Sequence, residues 1–316
     1  MNKVERVKAV LRGETPDKVP AGFWFHYPST YTVEETVKGH LDLFRHTDMD
    51  IMKVMQDFMY PIHTKIENAS DWYKIRFDGP DSPEFKKQAE IIRRILDGVN
   101  GEALVVQTMF GPFKAASFAF GDDLLMAHSK ENPKAVADGV KTIAEVQQEW
   151  ANAYLDLGLD GIYFSAQFGE VGRFTDEEWA MLVEPSDRMV LDVAKNREDK
   201  YNILHICGEP EYDFKVHLER FRDYPGDIVN WSVKDTGVSL SEGQKLYRRP
   251  ILGGLNNKGN ILSGTDEAIR AEVEEAIRGF GSTSMMIGAD CTIQGQGISL
   301  DRIKTAVEAA VARQDF

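Results

Sequence analysis

Short apolar runs alternate with longer segments of helical period along most of the chain. Runs rich in β-branched and aromatic residues indicate strands, and apolar residues spaced by three or four positions indicate amphipathic helices. Eight runs predict strands: Val19–Phe25, Asp50–Met55, Leu104–Phe110, Gly161–Ala166, Asn202–Cys207, Ile228–Ser232, Ile251–Leu255 and Ser284–Ala289. The intervening stretches predict helices near residues 33–46, 84–97, 133–157, 176–197, 213–222, 239–248, 265–278 and 299–313.

Several of these predicted helices have recognisable ends. Thr175-Asp176-Glu177-Glu178 is a capping box, in which the threonine and the glutamate three positions later satisfy each other's backbone amides. Thr265 and Ser299 are candidate N-caps, and Gly279 stands where a glycine is expected to end a helix.

Eight strand–helix units within 316 residues predict an α/β protein, a (β/α)8 TIM barrel that forms one domain over residues 1–316. A doubly wound open sheet is the alternative. Barrel enzymes carry their chemistry where the strands end. Polar residues and both cysteines stand at the predicted strand ends: His26, Asp57, Gly111-Pro112-Phe113, Gln167, His205 to Cys207, Trp231, Asn256-Asn257 and Asp290-Cys291.

Charge and composition exclude several classes of protein. The 37 basic and 51 acidic residues give a net charge of −14, which argues against binding to nucleic acid or to an anionic membrane. No apolar run is long enough to span a bilayer, and the first residues lack the apolar stretch of a signal peptide. We therefore expect a cytoplasmic protein, whose two cysteines are metal ligands or catalytic thiols rather than a disulfide.

The segment Leu204-His205-Ile206-Cys207-Gly208 carries the strongest candidate chemistry. Side chains alternate along a strand, so His205 and Cys207 project to the same side. Cys291 ends the last predicted strand, which reaches the same barrel mouth. One imidazole and two thiolates with an open fourth position form the donor set of a catalytic zinc site. The alternative is that the cysteines are small core residues and that His205 is a buried structural histidine.

Other residues at the strand ends are candidates for supporting roles. Asp57 is a candidate for orienting a substrate or holding a hydrogen-bond donor, the alternative being an exposed loop carboxylate. Gln167 and Asn256 are candidates for binding a cofactor or a polar substrate group, or for a structural role in turns. Glu209 is a weaker candidate as a fourth ligand, with solvent exposure favoured. His26 is a candidate general base, with a structural role favoured.

The aromatic run Phe23, Trp24, Phe25 and Tyr27 leads out of the first predicted strand. Alternate residues of a strand enter the core, so we expect about half of these rings to face the pocket. Such bulk predicts a narrow, apolar mouth that accepts a small methylated molecule or one aromatic ring.

The His205-Ile206-Cys207-Gly208 segment with Cys291 resembles the H-x-C…C zinc motif of the uroporphyrinogen decarboxylase-like methyltransferases. That group includes the methylcobamide:coenzyme M methyltransferases of methanogens, and cobalamin-independent methionine synthase has a similar motif. The resemblance extends to the opening segment from Arg6 to Pro20, to Gly111-Pro112-Phe113, and to the last unit with Asp290-Cys291 and the Ser299–Val307 helix.

Uroporphyrinogen decarboxylase itself is similar in fewer positions. Its arginine-rich N-terminal segment, which holds the carboxylates of the substrate, is replaced here by Phe23 to Pro28. Its histidine near the last strand is replaced by Asp290-Cys291, while its essential aspartate has a counterpart in Asp57. An acidic chain without that arginine clamp is poorly suited to a polycarboxylate.

The resemblance implies a zinc-dependent methyltransferase that works with a methylcobalamin-type corrinoid, carried on a partner protein. His205, Cys207 and Cys291 would hold Zn²⁺, and a thiol bound to the metal would accept the methyl group. In the reverse role, zinc would act as a Lewis acid on a methylated ether or amine, as in an O-demethylase component. A metal-independent decarboxylase and a non-catalytic barrel that binds a ligand are the further alternatives.

Overall fold

Seven parallel strands form one sheet in the computed structural model, which describes residues 1–281, 283–293 and 297–310. The strand order follows the chain, as in a barrel and unlike the doubly wound alternative. The strands are β1 (Ile51–Val54), β2 (Leu104–Phe110), β3 (Gly161–Ala166), β4 (Tyr201–Ile206), β5 (Ile228–Trp231), β6 (Ile251–Leu255) and β7 (Met285–Ala289).

The first predicted strand, Val19–Phe25, is not a regular strand. Ala21 forms only an isolated parallel bridge with Ile287 of β7. On its other side, the Asp50 amide donates to the Ala21 carbonyl at 2.8 Å, next to β1. Pro20 has no N–H and cannot donate to a ladder, which limits the pairing. The segment thus touches both edges of the sheet, and the fold is TIM-barrel-like with seven regular strands among the described residues.

Helices separate the strands in sequence. They are α1 (Lys3–Leu11), α2 (Val33–Thr47), α3 (Pro83–Val99), α4 (Pro112–Phe120), α5 (Asp122–Glu131), α6 (Pro133–Asp156), α7 (Asp176–Leu182), α8 (Glu184–Lys195), α9 (Val233–Thr236), α10 (Leu240–Tyr247), α11 (Asn260–Ser263), α12 (Asp266–Phe280) and α13 (Leu300–Ala309). Three short 3₁₀ helices cover Ala69–Lys74, Pro210–Tyr212 and Leu218–Phe221.

The predicted N-caps are confirmed. Thr175 and Glu178 form the capping box of α7, and the side chains of Thr265 and Ser299 accept backbone amides at the starts of α12 and α13. The predicted C-cap at Gly279 is wrong, because α12 continues to Phe280 and ends at Gly281 with φ of 94°.

Three predicted helices differ from the structure. The stretch 176–197 is divided into α7 and α8, and Pro185 begins the second helix because proline fits a first turn but breaks an interior. The stretch 213–222 contains only the 3₁₀ turn Leu218–Phe221. In the stretch 299–313, α13 ends at Ala309, and residues 311–313 lie outside the described part of the chain.

Strand side chains divide into two hydrophobic clusters. The larger cluster fills the space between sheet and helices, with Met52, Val105 and Ile162 among its members. Residues of the opposite parity, such as Ile51, Leu104, Ile203 and Met286, form a smaller cluster inside the barrel. Polar residues of this inward parity follow toward the strand ends: Lys53, Thr108, Ser165, His205 and Asn230. The barrel interior is therefore apolar near the starts of the strands and polar at the mouth, where the strands end.

A buried ion pair joins the N-terminal segment to the sheet. Arg6 of α1 contacts the carboxylates of Asp17, at 2.7 Å, and Asp50. Asp50 is fully buried and also accepts the Ala21 amide at 2.9 Å. Charge-assisted hydrogen bonds of this kind are about twice as strong as neutral ones, so they hold the 20–22 segment beside β1.

Among the described helices, none is long and apolar enough to cross a membrane.

His40 of α2 links that helix to β1 in a single protonation state. Its Nδ1 donates to the Thr36 carbonyl at 2.8 Å, and its Nε2 accepts the Met55 amide at 3.1 Å. Burial lowers the pKa of His40 to about 4. The unfolded chain has the ordinary histidine pKa of about 6.5. Between this pH and pH 4, the unfolded chain therefore binds more protons than the folded protein. Stability therefore falls as the pH drops through this window.

We expect His40 to contribute as much as about 3 kcal/mol to the difference in unfolding free energy between pH 7 and pH 4. His40→Gln keeps a donor and an acceptor but removes the titration, so the stability of the variant should depend less on pH in this range. Urea unfolding at several pH values gives the slope of the unfolding free energy against pH. Identical slopes for the two proteins would contradict this role.

Candidate metal centre

Three potential ligands converge at the mouth of the barrel. His205 lies near the end of β4 and Cys207 directly follows that strand, where its amide still donates to the Ala166 carbonyl of β3 at 2.9 Å. Cys291 follows β7, 84 positions after Cys207. The strand ladder thus brings together the three residues that the sequence predicted to share a site.

Two of the three separations between their ligand atoms match those of a tetrahedral zinc site. Cys291 Sγ lies 3.4 Å from His205 Nε2 and 3.9 Å from Cys207 Sγ, and all three atoms lie within 4.8 Å of one another. Zinc–sulfur bonds of about 2.3 Å and zinc–nitrogen bonds of about 2.05 Å at tetrahedral angles give about 3.8 Å and about 3.6 Å for these separations. The donor set and its dimensions fit one zinc ion with an open fourth position.

Asn230 of β5 orients the histidine. Its Nδ2 donates to the carbonyls of Leu252, at 2.6 Å, and of Ala289, at 3.1 Å. Its Oδ1 must therefore face His205 Nδ1 and the Tyr163 hydroxyl, which donates to it at 3.1 Å. An amide oxygen only accepts, so the His205 proton resides on Nδ1 and the lone pair of Nε2 points to the thiols.

The two thiols are tightly coupled. The hydrogen bond from Cys207 lowers the pKa of Cys291, and the ammonium group of Lys53 acts in the same direction. The same hydrogen bond, together with burial, raises the pKa of Cys207. A bound dication would hold both sulfurs as thiolates, because a coordinating thiol is deprotonated.

The three ligands open onto a cavity of about 800 Å³. Its wall is part aromatic, including Phe25, Tyr27 and Phe110, and part polar, including Thr108 and Ser165. Phe25 and Tyr27 line the cavity, whereas Phe23 and Trp24 are buried in the core. Two of the four rings thus face the cavity, which is the half that the sequence predicted. A cavity of this size is large enough for a small-molecule ligand.

Lys53 lies on the wall of this cavity and was missed in the sequence. It is only 6% exposed, and its Nζ stands 3.6 Å from the centre of the Tyr163 ring and 4.7 Å from that of Trp24. Burial lowers the pKa of Lys53 to about 7, while the negative charges of Cys291 and Asp57 act against that shift. A single charged residue inside the otherwise apolar run Ile51–Met55 is the sequence feature that could have drawn attention to it.

Asp57 and His26 form a pair at the rim. Asp57 Oδ1 lies 2.5 Å from His26 Nδ1, and Asp57 Oδ2 accepts the Tyr27 amide at 3.1 Å. Both residues line the cavity, and 54% of the His26 side chain is exposed. Asp57 is thus a partly buried carboxylate that orients a neighbouring imidazole, rather than a free loop carboxylate.

Gln167 and Glu209 lie together on another part of the wall. Glu209 Oε1 accepts from Lys114 Nζ at 2.6 Å and from Gln167 Nε2 at 3.2 Å. Gln167 Oε1 is buried without a partner among the described residues, and Gln167 faces the cavity. Glu209 lies outside the ligand cluster, and its carboxylate, with 24% of the side chain exposed, is engaged by Lys114.

Asn256 is the one predicted site residue that the structure does not bring to the cavity. Its Oδ1 accepts the Lys258 amide at 3.0 Å in a turn after β6. The next residue, Asn257, instead lines a small space of about 40 Å³ behind Cys207 and Cys291, together with Asp290. Burial raises the pKa of Asp290 to about 7. Asn257 Oδ1 and Asp290 Oδ1 lack partners among the described residues, and a space of this size holds one water.

Solved structures share this architecture at low sequence identity. A methyltransferase from Methanosarcina mazei superposes with a TM-score of 0.77 at 18% identity, covering 98% of both chains. A B12-independent methionine synthase from a Shewanella species gives 0.60 at 13% identity, covering 94% of this chain and 95% of that one. A putative vitamin-B12 independent methionine synthase from Listeria monocytogenes gives 0.54 at 13% identity, covering 92% and 95%. These similarities establish the fold.

Among curated proteins, no sequence matches the chain. Residues 49–312 match the sequence model of the uroporphyrinogen decarboxylase (URO-D) family. The match covers most of the chain, from the segment before β1 through α13, and includes all three clustered ligands. The chain therefore belongs to the uroporphyrinogen decarboxylase family.

Proposed function

We propose that this protein is a zinc-dependent methyltransferase that moves a methyl group between a corrinoid on a partner protein and a small thiol or other methylated small molecule. The observation that carries the proposal is the spacing of His205 Nε2 and the two sulfur atoms beside an 800 Å³ cavity. The fold neighbours named as methyltransferase and methionine synthases support it, because their names describe the same class of reaction.

The chemistry follows from the charges of the donor set. Two thiolates and a neutral imidazole balance a dication, so a substrate thiol that joins them ionises readily and stays electron-rich. The corrinoid would supply the methyl group: the thiol sulfur would take it as the C–Co bond breaks, and the bonding pair would stay with cobalt. The protein's part is to hold His205 in one tautomer and to hold both sulfurs on one side of the acceptor.

The reverse direction remains the second candidate within this function. A metal that polarises an ether oxygen or an amine would assist methyl departure to cobalt(I). The His26–Asp57 pair at the rim favours this candidate, since an imidazole held by a carboxylate can protonate a departing oxygen.

Decarboxylation of a porphyrinogen is not supported by the cavity. No arginine lines it among the described residues, and of its two lysines Lys114 is already paired with Glu209. A polycarboxylate needs several unpaired cations, for which guanidinium groups are best suited.

We expect purified protein to contain about one zinc ion per chain, as for a site with one set of ligands. Cys291→Ala should lose most of the metal, because two ligands hold zinc much more weakly than three. Circular dichroism should be unchanged, because the hydrophobic clusters do not involve the ion. Metal analysis after chelator-free purification gives the content. Full zinc retention by Cys291→Ala would contradict the assignment.

Asn230→Ala should weaken zinc binding by about 10–100-fold, the usual effect of removing the partner of a ligating histidine. Competition with a chromophoric chelator measures the affinity. The matched control is Asn202→Ala in β4, because Asn202 is also buried and donates to a carbonyl, that of Leu191. The control should keep wild-type affinity, and an equal loss in both variants would indicate a general structural effect instead.

Zinc-loaded protein should transfer the methyl group of free methylcobalamin to a small thiol. This reaction should be slower than the one in which a methylated corrinoid protein is the donor. Cys207→Ala should reduce the rate to background, because the thiolate is then neither generated nor aimed at the methyl group. Loss of the methylcobalamin absorption spectrum follows the reaction. Methylation of cob(I)alamin from an ether or amine, without thiol reaction, would reverse the assigned direction. Failure of both half-reactions would refute methyl transfer.

A further inference from the structure

A further pocket lies at the end of the barrel opposite the metal ligands. It has a volume of about 470 Å³ and is lined by residues at the starts of two strands, Pro250 before β6 and Ser284 before β7. The end of α1, from Val10 to Gly13, and the end of α10, with Gln244 and Arg248, complete its wall. Its volume is that of an ordinary small-molecule site.

The polar side chains of this pocket can all donate hydrogen bonds. Three are arginines, Arg12, Arg248 and Arg249, and the others are Gln244 and Ser284. Among the described residues that line the pocket, none is an aspartate or a glutamate. The chain has 51 acidic and 37 basic residues, so its composition does not explain a wall with three cations and no anion. Such a wall gives a local positive potential that attracts anions.

Arg249 is a cation held in place at this wall. Its Nη1 donates to the carbonyls of Tyr224 and Gly226, both at 2.7 Å. Its Nε and Nη2 donate to two further backbone carbonyls. Carbonyl acceptors are neutral, so they fix the guanidinium without cancelling its charge. Asp223 and Asp227 act on that charge, but neither lines the pocket.

The other two arginines are available to a ligand. The exposed side chain of Arg248 has no hydrogen bond or ion pair within the described part of the chain. Arg12 contacts Glu14 at 2.7 Å, but 50% of the arginine and 52% of the glutamate side chain are exposed. Exposed pairs of this kind contribute little, so a more highly charged anion can displace the glutamate.

We propose that this pocket binds a phosphate group, either as the free anion or on a small molecule, through Arg12, Arg248 and Arg249. A guanidinium offers a planar fork of donors that matches two phosphate oxygens. A phosphate monoester carries about two negative charges at pH 7, which suits three cations better than a single carboxylate does. Val10, Leu11 and Pro250 provide an apolar surface for the carbon part of a phosphorylated molecule.

This site is independent of the proposed methyl transfer, because the metal ligands follow the strands whereas this pocket precedes them. Cys291→Ala should therefore bind phosphate compounds as tightly as wild type. An affinity that falls in Cys291→Ala would place the anion at the barrel mouth and overturn the inference.

The test measures binding of four probes by calorimetry at one pH and ionic strength: inorganic phosphate, ribose 5-phosphate, ribose and citrate. Wild type should bind ribose 5-phosphate at least about tenfold more tightly than ribose. Inorganic phosphate bound as tightly as ribose 5-phosphate identifies the free anion as the occupant, and weaker binding identifies a phosphorylated molecule. Tighter binding of citrate, or no binding of either phosphate compound, overturns the inference.

Arg248→Gly removes one cation without endangering the fold. Arg248 ends α10 with φ of 54°, a left-handed conformation in which glycine is the usual residue. The variant should be at least as stable as wild type and should bind ribose 5-phosphate at least about tenfold more weakly. Unchanged affinity would show that the anion binds elsewhere and would overturn the proposal.

The matched control is Arg45→Gln. Arg45 is an exposed arginine in the last turn of α2 and does not line the pocket. This variant loses the same charge, so it should keep the wild-type affinity. An equal loss in Arg45→Gln and Arg248→Gly would show that overall charge controls binding, which contradicts a built site.

Thermal unfolding gives a second measurement that needs no enzymatic activity. A ligand that binds only the folded chain stabilises it. At ten times its dissociation constant, ribose 5-phosphate should raise the melting temperature of wild type by about 2–4 °C. The same concentration should leave Arg248→Gly nearly unchanged, and an equal rise in both proteins would refute the assignment.

Discussion

The hydrogen bonds of Asn230 are the interactions on which the arrangement at the barrel mouth depends. The amide donates to backbone carbonyls of two other strands, and its oxygen receives His205 and Tyr163. A flipped amide would set its NH₂ against two donors and leave two buried carbonyls unpaired, at a cost of about 1–3 kcal/mol for each group. The backbone of β6 and β7 thus determines which nitrogen of His205 is free to bind a metal.

The same hydrogen-bond network connects His205 to the buried lysine Lys53. Tyr163 donates its hydroxyl to Asn230, its ring lies beside that of His205, and its face carries Lys53 Nζ. A rearrangement of this one ring would disturb both the imidazole and the ammonium. In a closely packed interior such shifts are opposed by all neighbouring contacts, so the site is held in one geometry before any ligand arrives.

Much of this site could be predicted from the sequence, because two simple rules apply to it. Alternation along a strand places His205 and Cys207 on one side, and the common direction of parallel strands brings Cys291 to the same mouth. The closure of the barrel between β7 and β1 was harder to predict. The expected first strand, which contains Pro20, forms only a bridging segment between these two strands. Asn256 and Asn257 differ by one position, which is enough to move a side chain from a turn to the wall behind the thiols.

Asn230 and Lys53 could not be recognised without the three-dimensional structure. Each is a single polar residue in an apolar strand, and its role depends on atoms contributed by other strands. Asn230 uses carbonyls 22 and 59 positions away. A strand pattern reports which side a residue faces, but not the residues that meet it across a barrel. Supporting residues are therefore less visible in a sequence than ligands, whose chemistry is carried by the residue type itself.

The family name refers to decarboxylation of a porphyrinogen, but the charged residues of this cavity do not favour a polycarboxylate substrate. A fold can host many reactions, and the site decides among them. Binding several carboxylates requires a surplus of cations, whereas this wall carries one unpaired ammonium and two thiols on a chain of net charge −14. Two thiols beside an imidazole are a donor set that favours a soft dication such as zinc. Such an ion would bind the sulfur of a thiol substrate. The lining of this cavity is therefore poorly matched to a polycarboxylate, although the fold is that of the family.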